Sequence, residues 1–127
     1  MTAIPRRLVA QVINRDAGRC VINGPHCLTV GAIAHHRANR GAGGSKVLNH
    51  PRNLTAACGL CNSHVEDAHG SARSDLIRRG IRVIPGATHS KTLARSVATP
   101  VQYPDGTWWL LRVDGGRDET TEPREEA

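Results

Sequence analysis

The chain opens with apolar residues at helical spacing. Leu8, Val9, Val12 and Ile13 share one face between Pro5 and Ala17, which predicts a helix with Pro5 in its first turn and Gly18 at its end. The period then changes. "LTVGAIAHH", residues 28–36, is apolar and β-branched and reads as a strand leading into His35 and His36. "RANRGAGGSK", 37–46, is a basic glycine-rich loop, and "NHPRNLTAAC", 49–58, reads as loop and short strand. "CGLCNSHVEDAHG", Cys58 to Gly70, is a cysteine knuckle running into a short helix that Gly70 ends. "SARSDLIRRG" predicts a second helix, capped by Ser71 and stopped by Gly80, and "IRVIPG" a short strand. "HSKTLARSVATP" is ambiguous. "VQYPDGTWWLL" is a hairpin turning at Pro104-Asp105-Gly106, and the acidic tail from 117 onward is expected to be disordered. These elements divide the chain into 1–70, a helix and hairpin appendage over 71–116, and a tail over 117–127.

Composition makes the core a problem. The 127 residues include no Phe, and the three aromatics, Tyr103, Trp108 and Trp109, all lie near the C-terminus. The first hundred residues must pack Ala, Val, Ile and Leu alone, a thin core that calls for a staple. One Trp of the hairpin is expected to pack inward and the other to face out. No stretch resembles a secretory signal or a membrane span, so the expected location is the cytoplasm, bacterial or that of a phage-infected host, with no membrane partner. In a reducing compartment four cysteines point to metal rather than disulfides.

Charge points to the partner. Of 17 Lys+Arg and 11 Asp+Glu, two Arg and five acids lie in 117–127, so residues 1–116 hold 15 bases against 6 acids, a net +9. A basic body of this size suggests a polyanion such as DNA.

Cys58-Gly-Leu-Cys61 is a knuckle that turns two thiolates toward one ion, and Cys20 and Cys27 form a wider pair bent by Gly24 and Pro25. Four thiolates suit a tetrahedral structural Zn²⁺, with His26 able to replace Cys27. Such a clamp closes the segment between the pairs into one loop. That loop contains His35, His36 and Asn53, and Asn62 directly follows the last ligand. Neighbours on a strand point to opposite faces, unless a strand end or bulge re-aims them. Taken singly, Asn53 would be a turn residue, Asn62 a helix N-cap, and the arginines a solvated loop.

In order, "AHHR", "NL" and "CGLCN" resemble the HNH endonuclease family, whose ββα-metal motif runs His, Asn, then His or Asn. The resemblance covers about residues 18–70. It implies a small zinc-stabilised α+β domain, with a ββα-metal (HNH) unit between an N-terminal helix and a C-terminal β-hairpin appendage. It further implies His35 as ligand of a catalytic divalent cation, His36 as general base and Asn53 as the residue bracing the loop and orienting the base. Asn62 would be the second metal ligand, with His64 as an alternative. The implied activity is metal-dependent nicking or cutting of DNA with little sequence readout, in a phage-like setting. A neutral imidazole suits proton abstraction near neutral pH, and a cation with two protein ligands keeps positions open for phosphate and water. With no carboxylate in the ligand set, Mg²⁺ competes with Mn²⁺, Ni²⁺ and Zn²⁺. Arg37, Arg40 and Lys46 would hold phosphates, and Glu66 could support Asn62 or the base. A non-catalytic zinc module that binds nucleic acid would use the same cysteines and arginines without His36. The hairpin could also dock a protein partner.

Overall fold

The computed structural model describes residues 3–39 and 46–124. Among them the chain forms a small mixed α+β structure of four α-helices and two antiparallel sheets. None of these helices is long and apolar enough to cross a membrane.

Helix α1 spans Arg6–Arg15 behind Pro5 and buries Val12. Ala17 and Gly18 then take left-handed backbone, φ 55° and 67°, and turn the chain out of the helix. Strand β1, Ile33–His36, pairs with β2, Leu54–Ala57, setting His35 opposite Thr55 and His36 opposite Leu54. The strand expected from residue 28 therefore keeps only its last four residues. Thr29 has φ 68°, and the N–H groups of Leu28 and Thr29 point at the sulfurs of Cys58 and Cys27 instead of a neighbouring strand. Gly31 crosses β2 so closely that a Cβ there would stand 2.8 Å from the Ala56 Cβ. A 3₁₀ turn over Pro51–Asn53 precedes β2, and α2, Gly59–Asp67, follows it behind Cys58 as N-cap.

The second half departs from the expected pattern in several places. Helix α3, Gly70–Arg78, starts behind His69, so Ser71 lies inside the helix and does not cap it. Residues 81–86 form no strand. The N–H groups of Ile81 and Arg82 return to the Leu76 carbonyl, and that of Val83 goes to the carbonyl of Arg37, the residue after β1. The undecided stretch is helix α4, His89–Ala98, whose N-cap Thr88 accepts from the Lys91 N–H. The hairpin forms as β3, Val101–Gln102, and β4, Trp108–Leu111, with Trp108 buried and Trp109 half-buried.

The tail expected to be disordered instead begins as β5, Arg117–Thr120, paired with β4. Local partners absorb its charges. The Arg117 guanidinium lies 4.1 Å from the Tyr103 ring centre and 3.9 Å from that of Trp109, and Arg112 pairs with Asp114 and Asp118.

One apolar cluster runs from Cys20, Val21 and Ile22 through Val65 and Leu76 to Val101, Tyr103 and Leu111. Packing thus crosses residue 70 without a break. Within the second half the chain passes itself so closely at Gly80, φ 71°, that a Cβ would fall 1.9 Å from the Pro100 carbonyl oxygen.

Candidate functional site

The sulfurs of Cys20, Cys27, Cys58 and Cys61 all lie within 4.8 Å of one another, drawn from the loop after α1 and the start of α2. Tetrahedral zinc with bonds of about 2.3 Å sets its sulfurs about 3.8 Å apart, so modest contraction suits the cluster to such an ion. N–H groups already aim at the sulfurs: Gly24 at Cys61 (3.3 Å), Leu28 and Cys61 at Cys58 (3.4 Å each), and Thr29 at Cys27 (3.3 Å). Burial pushes the Cys61 thiol up, and the crowded sulfurs of Cys58 and Cys27 push it further. Burial also opposes ionisation of Cys58, but the N–H groups of Leu28 and Cys61 bring it down to about 6. A cation relieves that crowding, so the residues fit a structural metal. His26 is not part of the cluster.

His35 and His36 sit on a regular ladder without a bulge, and their rings find different partners. His35 is 1% exposed. Its Nδ1 lies 3.1 Å from Asn62 Oδ1 on α2, and its Nε2 lies 3.2 Å from the Ile81 carbonyl oxygen. Burial above all lowers its pKa to about 4, with Arg82 and His36 adding to the fall. A neutral ring carries one N–H, yet both of its nitrogens face oxygens. Nε2–H can donate to Ile81. Between Nδ1 and the Asn62 amide the geometry then needs either an amide N–H, with the amide turned over, or a cation. Two adjacent ligands about 2.1 Å from an octahedral ion stand about 3.0 Å apart, close to the separation seen. Thr55, opposite His35 and on the same face of the ladder, has a buried Oγ1 with no hydrogen-bond partner among the described residues.

Asn62 lies inside α2, four residues past Cys58, so capping is not its role. His64 is about 200° around the helix from Asn62. Its ring lies over Gly24 beside the Cys61 sulfur, away from His35. Glu66 pairs with Arg82 at 3.5 Å, and Arg82 is one of the charges that act on His35.

His36 is half-buried, and its Nε2 lies 2.8 Å from Asn49 Oδ1. Asn53 is fully buried, and its amide makes four bonds. Oδ1 accepts from the Ala38 N–H (3.0 Å) and Ser96 Oγ (2.7 Å), while Nδ2 donates to the carbonyls of Ala38 (3.2 Å) and Leu48 (3.1 Å). It thereby ties together the two ends of the loop after His36. Ser96 and Asn49 were missed in the sequence. Ser96 belongs to the undecided stretch, and Asn49 falls in a loop where asparagine needs no special reason.

Arg37 corrects an expectation. It is fully buried, and its guanidinium donates to the carbonyls of Gly80 (2.9 Å), Arg52 (2.7 Å), Ser96 (2.8 Å) and Thr99 (2.6 Å). Fully buried, with four of its N–H groups on backbone carbonyls, it is not placed to hold a phosphate. Lys46 is exposed, and Arg40 lies outside the described residues, as do Gly41, Gly43 and Gly44. Other exposed cations follow the N-terminal segment that Asn49 touches. Asn49 Nδ2 reaches the Ala3 carbonyl oxygen (3.4 Å), and Arg6 and Arg7 follow at the start of α1.

Comparison of the chain with protein-family models, with curated proteins and with solved structures finds no match to any of them.

Proposed function

We propose that the chain is a metal-dependent endonuclease of the HNH type that hydrolyses DNA phosphodiester bonds. One observation carries the reading: a β1 imidazole and an α2 amide oxygen meet at 3.1 Å, with both imidazole nitrogens turned to oxygens. The chain order β1, β2, α2, the cysteine cluster at the start of that helix and the Asn53 brace after His36 all support it.

In this reading His35 and Asn62 hold a divalent cation, with the buried Thr55 hydroxyl on the same face. When bound, that ion would neutralise charge developing on the phosphate and on the leaving oxygen. His36 acts from the other side of the strand end. It accepts a proton from a water whose oxygen forms the new bond to phosphorus. The bond to the leaving sugar oxygen breaks, and that oxygen takes a proton from solvent. In-line displacement sets the attacking and leaving oxygens on opposite sides of phosphorus. Strand alternation, which separates the two rings, suits that requirement. Lys46, Arg6 and Arg7 supply exposed charge for the DNA backbone.

The test is plasmid nicking by wild type and His36→Ala in Mg²⁺, Mn²⁺, Ni²⁺ and Zn²⁺. Wild type nicks in at least one metal, and the variant is slower by about 100-fold or more. Nicking by neither, with DNA still bound, selects a non-catalytic zinc module instead. Equal nicking by both removes His36 from the mechanism.

A further inference from the structure

We infer that Asn49 is the positioning residue for His36 and fixes which of its ring nitrogens carries the proton. The inference rests on reading His36 as the proton acceptor. Asn49 Oδ1 stands 2.8 Å from His36 Nε2, a good hydrogen-bond distance. The orientation of the amide is set from its other end, because Nδ2 points to the Ala3 carbonyl oxygen, which only an N–H can satisfy. Oδ1 therefore faces the ring, and it offers lone pairs alone. The contact needs a proton on Nε2, and a neutral His36 then has its basic lone pair on Nδ1.

The backbone keeps Asn49 in place. Its N–H donates to the Lys46 carbonyl at 3.3 Å. The preceding Leu48 is fully buried, and its carbonyl is held by Asn53 Nδ2 at 3.1 Å. His50 begins the following 3₁₀ turn by accepting from the Arg52 N–H. Asn53 thus acts on His36 at one remove: it anchors Leu48, whose neighbour grips the ring. The N-terminal segment contributes through Ala3. An acceptor that selects one imidazole tautomer is a recurring way to aim a general base.

The experiment uses the full zinc-loaded chain, labelled with ¹⁵N, and compares wild type with Asn49→Leu and Asn49→Asp. Leucine keeps the approximate volume and removes the acceptor, whereas aspartate keeps an acceptor at the same place. In wild type, long-range ¹H–¹⁵N correlations show neutral His36 protonated at Nε2. Asn49→Leu mixes the tautomers and lowers the nicking kcat by about tenfold or more, with KM for plasmid and zinc content unchanged. Asn49→Asp restores the Nε2–H form and most of the rate at alkaline pH. If Asn49→Leu keeps both the wild-type tautomer and the wild-type kcat, the inference is wrong while the nuclease reading stands. A leucine variant that loses zinc or folded structure, with an aspartate variant no better, assigns Asn49 a structural role and also overturns it. Absence of nicking by wild type in every metal removes the nuclease reading, and this inference with it.

Discussion

The two ends of the β1–β2 ladder are held by different chemistry. Beside the Ile33–Ala57 pair, four cysteine sulfurs from two distant segments gather within 4.8 Å, and burial and crowding raise the Cys61 thiol. Beyond the His36–Leu54 pair, the Arg37 guanidinium is wrapped by four neutral carbonyls, with no carboxylate partner among the described residues. Burial, with Arg15 nearby, pulls its pKa down to about 9. One end collects groups that could hold a cation from outside. The other has a cation of its own and has gathered acceptors around it. The candidate site lies between them, with His35 and His36 ending the strand that both ends secure. A cluster that could bind a metal and a buried cation thus stand at opposite edges of the candidate site.

The largest effect should come from the cysteine end. Cys58→Ser removes a thiolate from the cluster while leaving a hydroxyl that can still cap α2, so its effect isolates the candidate metal site. Structural zinc in small domains contributes on the order of 10 kcal/mol to folding, more than this aromatic-poor first half can replace. The variant should bind less than stoichiometric zinc and lose most helical circular dichroism at 25 °C. A chelator that strips wild type should have the same effect. Unchanged melting with zinc absent would show that the apolar cluster alone holds this end.

Arg37→Met comes next. It removes a costly buried charge but takes the Arg37 donors from the carbonyls of Gly80, Arg52 and Thr99, while the Ser96 carbonyl keeps the Thr99 N–H. Unmet buried acceptors cost about 1–3 kcal/mol each, partly offset by the desolvation recovered, so a net loss of about 3 kcal/mol is expected in urea unfolding. The salt dependence of DNA binding should not change, because the side chain never reaches the surface. A reduced salt slope would return Arg37 to the phosphate-binding role its position in the sequence first suggested.

The contrast between the ends also explains what was legible. The knuckle Cys58-Gly-Leu-Cys61 is a local pattern with a chemical meaning, and the structure gathers all four cysteines. Asn53 could be singled out because it stands in order with the histidines and Asn62. Arg37 was misread because its partners are carbonyls, which every residue carries and no sequence pattern marks. The α4 stretch was undecided because its buried positions are Thr92 and Ser96, polar residues that weaken an apolar period. The tail was misread on composition. β5 forms because Arg117 finds two aromatic rings supplied by the hairpin, a contact set by tertiary structure. Asn49 had no signal beyond its place near a proline.

Asp16 offers a finer test of the comparison, since it ties the middle of the ladder to the C-terminal sheet. Its Oδ2 accepts from the Ala56 N–H of β2 at 2.9 Å, its Oδ1 accepts from the Tyr103 hydroxyl, and both oxygens pair with Arg15. Tyr103→Phe removes one of these bonds and leaves the others intact. The carboxylate is not stranded, and the ring can still pack against Trp109 and beneath Arg117. The cost should be that of a single hydrogen bond to a charged acceptor, about 2 kcal/mol in urea unfolding, with zinc content and tautomer of His36 unchanged. A loss as large as that of Arg37→Met would mean that the C-terminal sheet is held chiefly through Asp16. A loss below about 0.5 kcal/mol would mean that the shared apolar cluster already fixes it.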